Sequence, residues 1–506
     1  MDLRDCLLGI DVGTTHIKAV IFDPSGKEIT KTVLDTPKSV DEKGWTTMDP
    51  EAIWDTTARA VSETISLLRP DGWRIAGIAT ASMGESGVPL DRHGDPIYPI
   101  IAWYDLRTEP QARWWDETVG RARTVAITGL GTKPMYSAPK ILWILQNVDR
   151  ARARLATWLP VSDFIAYKLT GNQATDFSQA SRTMLFDQAR RDWSGELLQL
   201  SGIPGGILPA AVPSGTLVGH VHSEASRKTQ IPQGTPVFAG GHDHVCGALA
   251  AGAISPGRVL DSCGTAESIL VSCQNAGIAQ LACSSGFSFG HHVVRDTHYV
   301  MGGIPSSGGA IEWFIQEFCR ENRSYQAATD LARESPPGSH GVIFVPRLLG
   351  SGPPTRDKDA TGAFARIHSG TTLSDFARSI FEGLSFELKL AIEAMERVLA
   401  QEISSLIAIG GGAKNDFWLS IKASALGIPI EVPEVTESTA LGAALLAGIG
   451  AGLYRDEMDA VKKTSRISAR FAPEETLKQV YQDQYAAFSA IAEALYRIDK
   501  ERTTTS

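Results

Sequence analysis

Residues 7–23 read Leu-Leu-Gly-Ile-Asp-Val-Gly-Thr-Thr-His-Ile-Lys-Ala-Val-Ile-Phe-Asp. An apolar run from Leu7 to Ile10 stops at Asp11, turns at Gly13-Thr14-Thr15 and resumes from Ile17 to Phe22. Two apolar runs joined by a short polar turn predict a β-hairpin, here with one acid and two hydroxyls at its tip. Gly13 lets backbone N–H groups approach an anion closely. Thr14 and Thr15 have hydroxyls to donate to phosphate oxygens, and Asp11 suits Mg²⁺, directly or through water. An ordinary hairpin with a polar turn would need the same residues, so this stretch alone does not decide between the two.

The pattern recurs. Residues 259–272 read Val-Leu-Asp-Ser-Cys-Gly-Thr-Ala-Glu-Ser-Ile-Leu-Val-Ser, again an apolar run, an acid (Asp261), a Gly264-Thr265 turn and an apolar run. The two copies lie near the starts of the two halves of the chain. Tandem hairpins of this kind predict two related α/β lobes clamping one nucleotide. A third element, Leu406 to Asp416, runs from an apolar strand into Gly410-Gly411-Gly412 and then a helix. Glycines there let backbone lie against a flat or anionic ligand.

Composition narrows the class. At 506 residues the chain is long enough for two or more cores. A net charge of −9 argues against nucleic acid or an anionic membrane as partner, though not against an anion in a local pocket. The six cysteines, Cys6, Cys246, Cys263, Cys273, Cys283 and Cys319, lack metal-ligand spacing and are expected to be reduced, as in a cytoplasmic enzyme. No secretory leader and no apolar run of membrane-spanning length is read.

Strand-like runs alternate with helix-like segments, the signature of an α/β fold. Helices are predicted over residues 51–69, 137–150, 159–169 and 192–201, with long ones over 374–399 and 475–500. Ile75 to Ala81 reads as a buried strand, and Val237 to Gly241 as a strand feeding a helix from Asp243 to Ala251. Thr503 to Ser506 are expected to fray. The lobe boundary is placed at Gly252 to Gly257, giving lobes of residues 1–252 and 253–506.

The motifs together resemble the FGGY family of carbohydrate kinases, within the actin/hexokinase/Hsp70-like ATPase superfamily. The likeness runs from Leu7 to about Tyr454. It rests on the first hairpin, on Ile100 to Arg107, and on Gly240-Gly241-His242-Asp243-His244-Val245-Cys246-Gly247. Further downstream it rests on Glu382 to Phe386, Ile409 to Ser420 and Glu437 to Ala444. The resemblance implies two actin-like (ribonuclease H-like) lobes with a central cleft, ATP and Mg²⁺ as cofactors, and a small sugar or polyol as substrate. A homodimer is the family-level expectation.

By the resemblance, Asp243 is the base that takes the proton from the attacking hydroxyl; by itself an Asp there would read as a helix N-cap. His242 and His244 flank it at a spacing unsuited to chelating one ion, and His244 stands where Asn or Gln is common in the family. Asp11 would hold the metal. Gly13, Thr14, Thr15, Gly264 and Thr265 would contact phosphates, and Gly411, Gly412 and Asn415 would flank adenosine.

Residues 80–91 bear on the substrate. Counting back from Asp91 places Gly84-Glu85 where xylulokinase-like members carry Met-His and glycerol kinase-like members Arg-Glu. Glu85 would then accept from substrate hydroxyls, its two oxygens suiting a vicinal diol. Gly84 in place of a bulky residue would leave room for something larger than glycerol, and the missing Arg argues against a strict glycerol kinase. Trp103 would wall the sugar's C–H face. Asp105 and Arg107 read as a structural or pocket-edge pair. The expectation is an ATP-dependent kinase of a small ketose, a pentulose such as xylulose first. A tetritol or glycerol-like polyol kinase and a catalytically silent sugar-binding regulator are the alternatives.

Overall fold

A computed structural model of the chain describes residues 3–68, 72–319 and 323–505, the side chains of 502–505 excepted. Two sheets organise it. The first has six strands in the spatial order Leu217–His220, Pro236–His242, Trp73–Ser82, Arg4–Val12, His16–Phe22, Glu28–Asp35. Its last three form an antiparallel meander, and Trp73–Ser82 and Pro236–His242 add in parallel to Arg4–Val12. The second sheet has seven strands, in the order Ser288–His291, His298–Ile304, Glu267–Cys273, Arg258–Cys263, Ser405–Ile409, Ile430–Pro433, Ile467–Phe471. It repeats the scheme: an antiparallel meander through Glu267–Cys273 and Arg258–Cys263, then Ser405–Ile409 and Ile430–Pro433 in parallel. The tandem hairpins read from sequence thus lie in the interior of two similarly built sheets.

Both sheets share one apolar core. Two alanine-rich helices, Asp243–Ala251 and Ser438–Gly450, lie side by side between them. Leu7, Val20 and Phe238 of the first sheet and Leu260, Leu270 and Ile407 of the second belong to the same buried cluster as these helices. A Cβ on Gly442 would sit 2.0 Å from the Cys246 carbonyl oxygen, so only glycine permits this helix–helix approach. Ser438–Gly450, from the far half of the chain, also packs on Arg4–Val12 and Trp73–Ser82. The halves are joined by an interleaved core as well as by the chain connection at Gly252.

The element boundaries follow local chemistry. The long helix Leu373–Leu399 begins at a capping box between Thr372 and Asp375 and ends at Ala400 in the left-handed region. The helix expected from residue 159 begins at Val161, because Thr157–Pro160 pairs as a strand with Gly87–Leu90. The helix expected over 137–150 stops at Asn147, and that expected over 51–69 runs Pro50–Leu67, residue 69 lying outside the described residues. The terminal helix is Lys478–Thr505: Thr503 to Thr505 continue it where fraying was expected, and Ser506 lies outside the described residues.

Candidate active site

Three adjacent parallel strands end at one edge of the first sheet. Arg4–Val12 delivers Asp11 and the Gly13 turn, Trp73–Ser82 delivers Gly84 and Glu85, and Pro236–His242 delivers His242 and Asp243. The register aligns their tips: Val12 pairs with Ser82, and Ser82 with His242. Strands two apart in a sheet lie about 10 Å from each other, so Asp11 and Asp243 feel each other's charge. In the second sheet the Gly264-Thr265 and Gly410-Gly412 turns follow Arg258–Cys263 and Ser405–Ile409, which run parallel with Ser262 beside Ile409. Ligands of α/β sheets bind at such carboxyl ends.

Asp243 opens the helix Asp243–Ala251. Its side chain is 25% exposed, and its Oδ1 accepts the His244 N–H at 2.6 Å and lies 3.3 Å from His242 Nε2. Burial, helped by Glu85 and opposed by His244 and Arg182, raises its pKa. His242 is buried, its N–H held by Ser178 Oγ at 2.9 Å, and burial keeps its imidazole neutral. His242 and His244 lie with ring centroids 5.6 Å apart.

Asp11 is pushed up to about 7, first by burial and then by Asp243 and Glu437, against the pull of Lys18. Lys18 Nζ lies 3.9 Å from Asp11 and 2.8 Å from Glu437, which Lys31 also pairs at 3.2 Å. A buried carboxylate repelled by two other acids is short of cationic charge, so the site fits a divalent cation. Gly13 N–H is bonded to the His16 carbonyl and its own carbonyl accepts from Thr36 Oγ1. Thr14 Oγ1 accepts the Trp103 indole N–H at 3.0 Å, tying the Gly13-Thr15 turn to Trp103, while the exposed Thr15 hydroxyl has no hydrogen bond among the described residues. Trp103 is itself 37% exposed.

Glu85 differs from expectation in its surroundings. It is 5% exposed, sits in the left-handed region at φ 65°, and receives both Nε (2.7 Å) and Nη2 of Arg182 on Oε1. One oxygen is thereby engaged; Oε2 has no hydrogen bond among the described residues. A diol bridged by both oxygens does not fit this arrangement. Arg182 continues to Ser288 Oγ at 3.2 Å and Tyr299 at 3.4 Å, from the second sheet, and lies over Tyr136. The arginine absent beside Glu85 in sequence is thus supplied from 97 residues away.

The space expected at Gly84 is not there. A Cβ on Gly84 would come within 2.5 Å of His242 Cδ2 and 3.2 Å of Arg182 Cγ. The glycine admits the His242 ring; it does not enlarge the pocket. Asp105 and Arg107 form a buried bidentate pair, and Asp105 also accepts the Thr46 N–H at 2.6 Å.

In the second half, the Gly264 and Thr265 carbonyls accept from the N–H groups of Gly308, and of Ser307 and Gly309, so the start of the helix Gly308–Phe318 pins this turn. Gly264, Thr265 and Gly411 are exposed. Asn415 caps the helix Asp416–Leu426 by accepting the Trp418 N–H, and its amide donates to Thr329 Oγ1 at 3.0 Å.

Arg182, Lys18 and Glu437 were missed from sequence. Lys18 was within reach, since the hairpin register pairs it with Asp11. No local pattern pointed to Arg182.

The sequence matches the profiles of the FGGY family of carbohydrate kinases, N-terminal domain over residues 6–250 and C-terminal domain over residues 261–451. A xylulose kinase of Staphylococcus epidermidis is 30% identical over 506 residues, covering 99% of this chain and 98% of that protein. A glycerol kinase of Saccharolobus islandicus is 30% identical over 480 residues, 92% of each. The crystal structure of xylulose kinase from Rhodospirillum rubrum superposes with a TM-score of 0.90 at 26% identity, covering 98% of this chain and 100% of that one. No helix among the described residues is long and apolar enough to cross a membrane.

Proposed function

Because this chain belongs to the FGGY family of carbohydrate kinases, a family of phosphotransferases, we propose that it moves the γ-phosphate of ATP to a terminal hydroxyl of a small ketose, a pentulose such as xylulose first. The observation that carries this reading is the alignment of Asp11, Glu85 and Asp243 at the ends of three adjacent parallel strands. In this reading a phosphate turn, an acceptor for a substrate hydroxyl and a base share that edge.

In this reading Asp243 accepts the proton of the acceptor hydroxyl as its oxygen attacks the γ-phosphorus and the bond to the β-phosphate oxygen breaks, releasing ADP. The raised pKa of Asp243 brings it nearer the working pH of a base. Neutral His242, whose Nδ1 has no hydrogen bond among the described residues, packs beside the base with Nε2 3.3 Å from Asp243 Oδ1. Glu85 Oε2 receives one substrate hydroxyl, and the exposed face of Trp103 covers the sugar's C–H face. His244 lines the pocket beside the base.

Gly13, Thr14 and Thr15 on one side and Gly264 and Thr265 on the other face the phosphates, while Gly411, Gly412 and Asn415 flank adenosine. Asp11 would hold Mg²⁺, which when bound neutralises charge on the phosphate oxygens. The working division is residues 1–252 for sugar and phosphate turn and 253–506 for adenosine, supported by a sheet on each side of that boundary. Six free cysteines accord with a reducing, cytoplasmic setting.

A polyol acceptor is the second reading, favoured by the Glu85–Arg182 pair. It rebuilds in space the acid-and-arginine combination that glycerol kinase-like sequences place side by side. The test is Mg²⁺-dependent ATP-to-ADP conversion against a panel of ketoses, polyols and glycerol, with Asp243→Asn as control. A ketose hit lost in the variant supports the first reading and a polyol hit the second. ATP binding with silence across the panel would overturn both.

A further inference from the structure

Beneath the nucleotide-side turns lies a cluster that the proposed chemistry does not use. Asp261, Cys263 and Glu267 present ligand atoms within 4.8 Å of one another, the spacing of a metal site. The cation there is Lys422. Its Nζ lies 2.8 Å from Asp261 Oδ2, 2.9 Å from Cys263 Sγ and 2.6 Å from Glu267 Oε1. Asp261 and Lys422 are 0% exposed and Glu267 2%. Cys263 Sγ also donates to Asp261 Oδ2 at 3.0 Å.

The cluster links the walls that an ATP molecule would span. Asp261, Cys263 and Glu267 come from the two strands flanking the Gly264-Thr265 turn. Glu267 Oε2 accepts from Ser307 Oγ at 2.9 Å, beside the helix start that pins that turn. Lys422 sits on the helix Asp416–Leu426, capped by Asn415, with its ammonium 4.3 Å from the Trp418 ring. The rings and stems of this cluster shape the adenosine turn directly: a Cβ on Gly412 would meet Cys263 Cβ at 2.7 Å and Trp418 Cζ3 at 2.8 Å.

We propose that Lys422, bonded to Asp261, Cys263 and Glu267, is a positioning residue that fixes the distance between the Gly264-Thr265 turn and the Gly410-Gly412 turn, and so sets nucleotide affinity. The inference rests on the kinase reading, since it needs those turns to hold ATP. Electrostatics support it. Burial opposes the Lys422 charge, but Asp261, Cys263 and Glu267 outweigh it and hold the ammonium above its usual range. Burial first, then Asp261, raises Glu267 against the pull of Lys422, whose ammonium offsets the acids of the cluster. A buried, neutralised network of this kind holds one geometry.

The test compares Lys422→Met with the double variant Lys422→Met/Asp261→Asn, in which the stranded carboxylate is also removed. ATP binding is measured by calorimetry without acceptor, alongside KM for ATP, KM for acceptor and the melting midpoint. The double variant is expected to regain the parent's midpoint yet bind ATP about tenfold more weakly, with the acceptor KM unchanged. Ser307→Ala, which cuts only the Glu267 link to the helix start, keeps the test alive should both variants fail to fold; it is expected to raise the ATP KM several-fold. Parent-like ATP affinity in the folded double variant, or failing that in Ser307→Ala, would overturn the inference. Absence of ATP binding by the parent would instead sink the kinase reading on which it stands.

Discussion

Arg182 donates its Nε to Glu85 Oε1 at 2.7 Å across 97 residues of chain. The two side chains are 3% and 5% exposed, and Glu85 takes its place with a left-handed backbone that non-glycine residues rarely adopt. Removing one partner of such a pair strands a buried charge. Arg182→Met is therefore expected to lower stability by about 3–5 kcal/mol, measured by chemical denaturation. Arg182→Met/Glu85→Gln should recover much of that loss while leaving the acceptor KM high.

Asp243→Asn keeps the size and the His244 N–H contact of the side chain while removing the carboxylate proposed as the base. The variant is expected to melt near the parent, to bind ATP as well, and to lose turnover by about 10²–10⁴. Single-turnover phosphate transfer in the presence of saturating acceptor checks it, and near-parental turnover would take Asp243 out of the mechanism.

Gly84→Ala discriminates between an open pocket and a filled one. With His242 Cδ2 only 2.5 Å from the added methyl, overpacking should cost about 1–3 kcal/mol and displace the ring that contacts Asp243. Both the melting midpoint and kcat are expected to fall. A neutral outcome would mean that His242 has room to move aside.

Stability should fall in mild acid. His291, His292 and His298 lie on or just beyond the hairpin of the second sheet that meets Ser181 and Gln188 of the first half. Burial holds them at about 4, 3 and 4; for His298, neighbouring His291 and Arg191 add to the effect and Asp296 opposes it. Each folded value lies below the ordinary 6.5, so the unfolded chain binds more protons as pH drops. The stabilisation is complete above 6.5 and is lost as pH falls from there toward 4. Thermal melts across that window are expected to decline. His298→Phe, which keeps the stacking on Phe289, should make the decline shallower; an identical slope would exclude His298 as a source.

Much of the scaffold was legible because its signals are local. An apolar run cut by Asp11 and a glycine turn is a hairpin wherever it occurs, and the strand before Asp243 and the helix after it were bounded within a residue or two. Helix edges slipped where a neighbour overrode the pattern, as at Thr157–Pro160, drafted into a strand by Gly87–Leu90. The surroundings of the candidate residues were not legible. Glu85 was singled out, but its charge partner was not, and the room inferred at Gly84 is taken up by the ring of His242.

The sequence by itself determined the hairpin tips, the glycine turns and the family, because backbone conformation and phosphate-type turns depend on residues near each other along the chain. Only the tertiary structure decided what surrounds each carboxylate. Asp11 and Asp261 sit in two similar hairpins, Asp261 one residue further from its turn. Asp11 ends at the cleft, beside Asp243 and with Lys18 only at 3.9 Å; Asp261 is sealed against Lys422 at 2.8 Å. A charge takes its role from its solvation and its nearest counter-charge: Asp261 meets Lys422 from 161 positions away, while Asp11 has only Lys18 of its own hairpin and the acids Asp243 and Glu437 that folding brings near.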